Sequence, residues 1–213
     1  MPELKYTLIA DGTSDATLLR IIKWSLDDLY PSVPNTGVIA DYRGIPHPPK
    51  SLAEKIKAAK YYYPFDLLFV HRDAESTTKG VVGQRTDEIM RALEENEKEA
   101  TICVVPVKMM EAWLLIDEYA LKRAAGNRNY DQTICLPPLP KIEKEKDPKG
   151  LLHDLLKEVS GLKSRRLHKF NVHKAVHLLA ENIEDYKPLR NLSAFNAFEN
   201  NLSRAMEGYL RAG

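Results

Sequence analysis

Cysteine is scarce in this chain, long apolar runs are missing, and charge of one sign is nearly cancelled by the other. Only two cysteines, Cys103 and Cys135, occur in 213 residues. The first sits in an apolar run and the second in a proline-rich loop, which is neither a disulfide framework nor a zinc-ligand spacing and points to a reducing cytoplasm. No stretch approaches the roughly 18 uninterrupted apolar residues of a membrane-spanning helix. The opening residues, Met1 to Tyr6, lack a basic segment followed by an apolar core, so secretion is not expected either. Lysine plus arginine (31) against aspartate plus glutamate (30) leaves a net charge of +1, so a nucleic acid would have to be met by a local patch rather than by the field of the whole molecule. A Walker loop, a nucleophile elbow, an HExxH pattern and a catalytic Cys/His arrangement are all missing.

What is present is an alternation of apolar runs with helical periodicity. Leu4 to Ala10 reads as a strand, and Ala16 to Leu29 carries Leu18, Leu19, Ile22, Leu26 and Leu29 close to a 3.6-residue period. Thr36 to Tyr42 reads as a second strand, Ser51 to Tyr61 as a helix, Asp66 to His71 as a third strand, Thr86 to Asn96 as a helix and Thr101 to Val107 as a fourth strand. The third and fourth runs are apolar throughout rather than alternating, which is the mark of a parallel sheet covered on both faces. Beyond Val107 the spacing predicts a helix over Met109 to Ala125, a long loop over Asn127 to Pro148, and helices over Gly150 to Val159, Asn171 to Asn182 and Ser193 to Leu210. The expected organisation is an α/β domain, residues 1–126, with a mainly parallel four-stranded sheet flanked by helices. A loop and helical C-terminal subdomain, residues 127–213, would pack on it.

In such a sheet, functional groups collect beyond the carboxyl ends of the strands, where the strand order reverses. Asp11, in LIADGTSD, directly follows strand one, and Asp73 and Glu75, in LFVHRDAES, directly follow strand three. If those strands are neighbours, the three carboxylates converge, and like charges held close need a cation or a raised pKa. Magnesium bound by a few acids and water is the simplest compensation. Gly12 would let the chain turn tightly and offer N–H groups to a phosphate. Each acid also has a plain account: Asp-Gly is a common turn pair, Asp15 suits a first helical turn, and Asp73 with Glu75 would solvate a loop.

The strand, acid-Gly-x-x-Asp, helix order, with an Asp-x-Glu pair after a later strand, resembles the TOPRIM domain of topoisomerases, primases, small ribonucleases and OLD-type nucleases. The residues that carry it are Asp11-Gly12-Thr13-Ser14-Asp15 and Asp73-Ala74-Glu75, within roughly residues 4 to 110. Two departures stand out: the first acid is an aspartate where the family usually has glutamate, and the second acid of the pair is the longer Glu75. Val107 to Asp117, Asp147-Pro148-Lys149-Gly150 and Ser193 to Phe198 further resemble a small bacterial group of TOPRIM-like proteins found beside defence genes.

The resemblance implies a Rossmann-like fold and phosphodiester hydrolysis with Mg2+ or Mn2+. Asp11, Asp73 and Glu75 would hold the ions, Asp15 would orient a water, and Glu111 would serve a second ion. Lys108 would neutralise charge on the scissile phosphate. Nucleic acid, DNA or RNA, is the implied partner, alongside a protein from a defence operon or further copies of this chain. Lys163, Arg165, Arg166 and Lys169, in LKSRRLHK, form the most compact basic run and the expected phosphate contact, or else a solvated link between helices. The rival reading is a non-catalytic module with a degenerate metal site; a phosphotransferase would need a nucleotide pocket, for which no glycine-rich loop is seen. His173 and His177, four apart with Glu181 four further on, lack a third fixed ligand for zinc, and helix-face histidines are the plainer account.

Overall fold

The computed structural model describes residues 2–10, 12, 14–78 and 80–212. The first half runs β1 (Leu4–Ile9), a 3-10 turn (Ser14–Thr17), α1 (Leu18–Leu29), β2 (Asn35–Ile39), α2 (Leu52–Tyr62), β3 (Leu67–His71), α3 (Val81–Ala92) and β4 (Thr101–Val104). The four strands form one sheet in the order β2-β1-β3-β4, parallel throughout. The fold is therefore α/β, as the apolar runs predict: β3 is buried along its whole length, and in β1 only Lys5 is exposed. Tyr6 faces Gly37 across the β1–β2 ladder, and a Cβ at Gly37 would overlap the Tyr6 ring, so this edge position accepts glycine alone.

Side chains alternate across each strand, and the two faces bury different things. Leu4, Tyr6, Leu8, Phe69, Ile102 and Val104 join α1 and the C-terminal helices in one core. Ile9, Leu68, Val70 and Cys103 join Ile56 and Ala59 of α2 and Ile89 of α3 in another. The chain leaves β1 for β2 on one side and later places β4 on the other, so the strand order reverses between β1 and β3. Their carboxyl ends open the crevice where a parallel sheet binds ligands.

After β4 come a 3-10 segment (Met110–Leu114), α4 (Glu118–Ala124), α5 (Leu139–Ile142), α6 (Pro148–Val159), α7 (Ser164–His168), α8 (Val172–Asn182) and α9 (Ser193–Ala212). The continuous helix expected from Met109 to Ala125 is broken. Leu115 leaves helical geometry, and the Asp117 side chain starts a new helix by accepting from the Ala120 N–H at 2.9 Å. The expected loop over Asn127 to Pro148 contains α5 and is anchored by Glu143, whose carboxylate accepts from the N–H groups of Ser193 and Ala194 at the start of α9. α3 begins five residues before the predicted Thr86, just after Gly80, whose φ of 93° suits glycine.

The helical half and the sheet share one core. Trp113 lies edge-on to Phe195 (centroids 5.2 Å apart) and beside Phe198 (6.0 Å), and Phe198 reaches Phe69 of β3 at 6.3 Å. Among the described residues, no helix is long and apolar enough to cross a membrane.

Candidate functional site

β1 and β3 are hydrogen-bonded neighbours, with Ile9 opposite Val70, so the segments that leave them enter the same crevice. Asp11 lies outside the described residues, and the site is built from those around it. Asp15, in the 3-10 turn before α1, is 8 % exposed; its Oδ2 accepts from the Gly12 N–H at 2.7 Å, which folds the turn back on itself. Asp73 follows β3, and its Oδ1 accepts from the Met110 N–H at 3.0 Å. Glu111, the next residue, is 3 % exposed, with Lys149 Nζ 3.3 Å from its Oε1.

His71 ties two of these acids together. The period of two puts it on the same face of β3 as Phe69, the face covered by α1 and the C-terminal helices. Its Nε2 lies 3.4 Å from Asp73 Oδ1 and 3.8 Å from Asp15 Oδ2, so both carboxylates lie within reach of one atom. Its Nδ1 is 3.0 Å from the Val104 carbonyl oxygen. That oxygen can only accept, so Nδ1 carries a proton. Nε2 then faces two acidic oxygens, one from Asp15 and one from Asp73.

Asp73 registers the crowding. Its carboxyl is pushed up to about 6, first by burial, against which His71 pulls it down, and further by the carboxylates of Asp15 and Glu111. Asp15, Asp73 and Glu111 thus form an acidic group balanced by His71 and Lys149. Their hard oxygen atoms are of the donor type that small divalent cations take. In the present side-chain positions no set of three His, Cys, Asp or Glu closes around a common point among the described residues; Asp15 and Asp73 are turned to His71, and Glu111 to Lys149.

Glu75 does not share this volume. Its φ is 59°, in the left-handed region, and its side chain is 70 % exposed and paired with Arg85 of α3 at 3.0 Å. Lys108, φ 66°, is locked to the same residue's backbone: the Glu75 N–H donates to the Lys108 carbonyl at 2.8 Å, and Lys108 Nζ donates to the Glu75 carbonyl at 3.1 Å. Two non-glycine residues in this region store of order 1 kcal/mol each, and their reciprocal bonds clamp the loops after β3 and β4 together. Lys108 is therefore a brace of that loop pair in the present geometry.

Sequence spacing leaves out His71 and Lys149 as members of the group. Lys149 is delivered by α6, whose start is fixed by Asp147 accepting from the Gly150 N–H at 2.9 Å; a Cβ at Gly150 would collide with that carboxylate. The signal was available in Asp-Pro-Lys-Gly, a cap followed by proline at the first helical position. His153 lies one turn further along α6, its ring 5.4 Å from that of His173. Burial, then His173 and Lys149, hold its proton affinity below the usual histidine range. His173 thus meets His153 rather than a metal set with His177. Lys163, Arg165, Arg166 and Lys169 flank or lie in α7, which follows α6 in the chain, whereas Lys149 sits in the first turn of α6. Comparison of the chain with protein-family models, with curated proteins and with solved structures found no match.

Proposed function

We propose that the chain hydrolyses phosphodiester bonds of nucleic acid with the help of a divalent cation, Mg2+ or Mn2+. The observation that supports this best is the meeting of Asp15, His71, Asp73 and Glu111 at the reversal of strand order, with Asp73 pushed up to about 6. Asp73 and Glu111 would hold the ion, with Asp15 completing the acidic rim. When bound, such an ion supplies Lewis acidity toward a phosphoryl oxygen. Asp15 and Glu111 must swing from His71 and Lys149 to accept it, which frees Lys149 Nζ, at the start of α6, for a phosphate oxygen. His71, its Nδ1 proton fixed on Val104, is left with Nε2 as the atom that takes or gives a proton at the reacting group.

A second reading has an observation of its own. Glu111 paired with Lys149, and Glu75 paired with Arg85, are contacts that a non-catalytic module would keep, binding nucleic acid without cutting it. Incubation of the full chain with single- and double-stranded DNA and RNA, with Mg2+ or Mn2+, separates the two. Cleavage that stops with chelator and in Asp73→Asn is expected; binding of these substrates without cleavage under either ion would leave the module.

A further inference from the structure

A large cavity lies outside the acidic crevice, along the segment from Ile45 to Tyr62. It is an open groove of about 1020 Å3 walled by Pro46, Pro48, Pro49, Lys57, Tyr61 and Tyr62. α2 buries only Ile56 and Ala59, so its apolar stripe has ended by its last turn, where Tyr61 is 79 % and Tyr62 49 % exposed. The two rings stand edge to face, centroids 4.7 Å apart. Tyr63 is used differently: its hydroxyl donates to the Asp41 carbonyl at 2.8 Å and accepts from the Asp41 N–H at 3.1 Å. Tyr63 thus serves the fold, and its two neighbours offer aromatic surface to solvent.

Charge along the groove is mainly basic. Residues 43–62 contain Arg43, Lys50, Lys55, Lys57 and Lys60 against one acid, Glu54; Arg43 is paired with Asp41 and Lys60 with Glu97, and Lys50 and Lys57 line the groove. That glutamate is engaged by the N–H groups of Lys50 and Ser51 in a capping box at the start of α2. In a chain whose net charge is +1, this is a local basic excess, dispersed along a helix rather than run together. The groove also continues toward the acids. A second cavity of about 440 Å3 shares the walls of Pro48 and Pro49 and extends to Ala10 and Gly12. The Gly12 N–H is bonded to Asp15.

We infer that this groove binds a single strand of nucleic acid, its bases stacked on Tyr61 and Tyr62 and its phosphates on Lys50 and Lys57, and that the strand passes Pro48 and Pro49 to reach the acidic crevice. The inference rests on the proposed function and names the form of its substrate. Exposed aromatic rings on a basic surface take unpaired bases, whose faces are free, and not a duplex, whose base faces are stacked within the helix. Lysine contacts to phosphate are indifferent to sequence, so the groove selects strandedness rather than sequence.

The test uses the full chain in chelator, so that nothing is cut, with fluorescein-labelled oligo(dT) of about 20 nucleotides and a duplex of equal length, read by anisotropy. Oligo(dT) binds more tightly than the duplex. Tyr61→Ala with Tyr62→Ala weakens oligo(dT) binding by about tenfold or more, and the corresponding pair of Phe substitutions restores it. Lys57→Gln lowers the slope of log affinity against log salt by about 0.7. Affinity unchanged in the alanine pair, or duplex bound more tightly than single strand, overturns the inference. So does sedimentation showing that the tyrosines control self-association while oligo(dT) affinity is untouched. Cleavage that depends on Asp73 but ignores the tyrosines would remove the groove alone. Tyrosine-dependent binding without cleavage under either ion would remove the hydrolytic reading and leave the groove standing.

Discussion

Asp73→Asn is expected to lower metal-dependent cleavage on the order of a thousandfold while making the metal-free protein more stable at neutral pH. The two effects have one cause. Asp73 is held beside Asp15 and Glu111 in a partly buried crevice, its side chain 29 % exposed, so a charge placed there is at odds with the fold and available to the proposed ion. Because its pKa in the folded chain, about 6, lies above the ordinary carboxylate value of 3.8, the folded state binds the extra proton. Stability from this residue is complete below about pH 4 and is lost as pH rises through about 6. The full difference corresponds to about 3 kcal/mol; screening of the exposed part leaves on the order of 1–2 kcal/mol. Asparagine keeps an oxygen to accept from the Met110 N–H and carries no charge. In chelator at pH 7.5 the variant should therefore unfold at higher urea than the wild type, and the advantage should shrink to nothing near pH 4. A variant less stable than wild type at neutral pH would mean that Asp73 is a structural acid. Urea titrations of both proteins across that pH range decide it.

Trp113→Ala carries the largest expected loss of stability. Trp113 is 1 % exposed and joins Phe195 and Phe198 of α9 to the sheet, so its removal leaves a cavity where the helical half meets β3. Truncation of a buried Trp costs about 3–5 kcal/mol, a large part of the 5–15 kcal/mol typical of a whole domain, and roughly 10 °C in Tm for a chain of this size. Its indole N–H is buried without a partner among the described residues. Trp113→Phe removes that donor and keeps an aromatic contact, and should cost less than half as much. Trp113 also sits in the 3-10 segment that carries Glu111, so the alanine variant should lose cleavage beyond what its unfolded fraction explains. Thermal unfolding read beside activity at a temperature where both variants are folded tests this; an alanine variant within about 1 kcal/mol of wild type would place the junction elsewhere.

The strands were legible because parallel strands covered on both faces must be apolar throughout, and the runs Leu67 to Val70 and Thr101 to Val104 can do little else. Asp73 was legible for a related reason: a charge directly after such a run lies at the carboxyl edge of the sheet. Glu75 was misplaced because an Asp-x-Glu spacing projects both acids to one side only if the chain stays extended, and φ 59° at Glu75 turns its side chain to Arg85. His71 ends β3 and reads as a residue that either face could claim; the core that covers one face decides it, and that core comes from residues far along the chain. Lys149 reaches Glu111 from the first turn of α6, whose start the Asp147 cap fixes. Contiguous cations are what a sequence shows, as at residues 163 to 169, whereas the lysines of α2 that line the proposed groove are separated by apolar residues and share a surface only once the helix is formed.

Binding of Mn2+ to the full chain, followed by calorimetry after chelator treatment, tests the shared acidic volume most directly. Saturable binding is predicted at pH 7.5, weakening as pH falls through about 6 while Asp73 takes up its proton, and lost in Asp73→Asn. No saturable binding by the wild type, or equal affinity in the variant, would contradict the account.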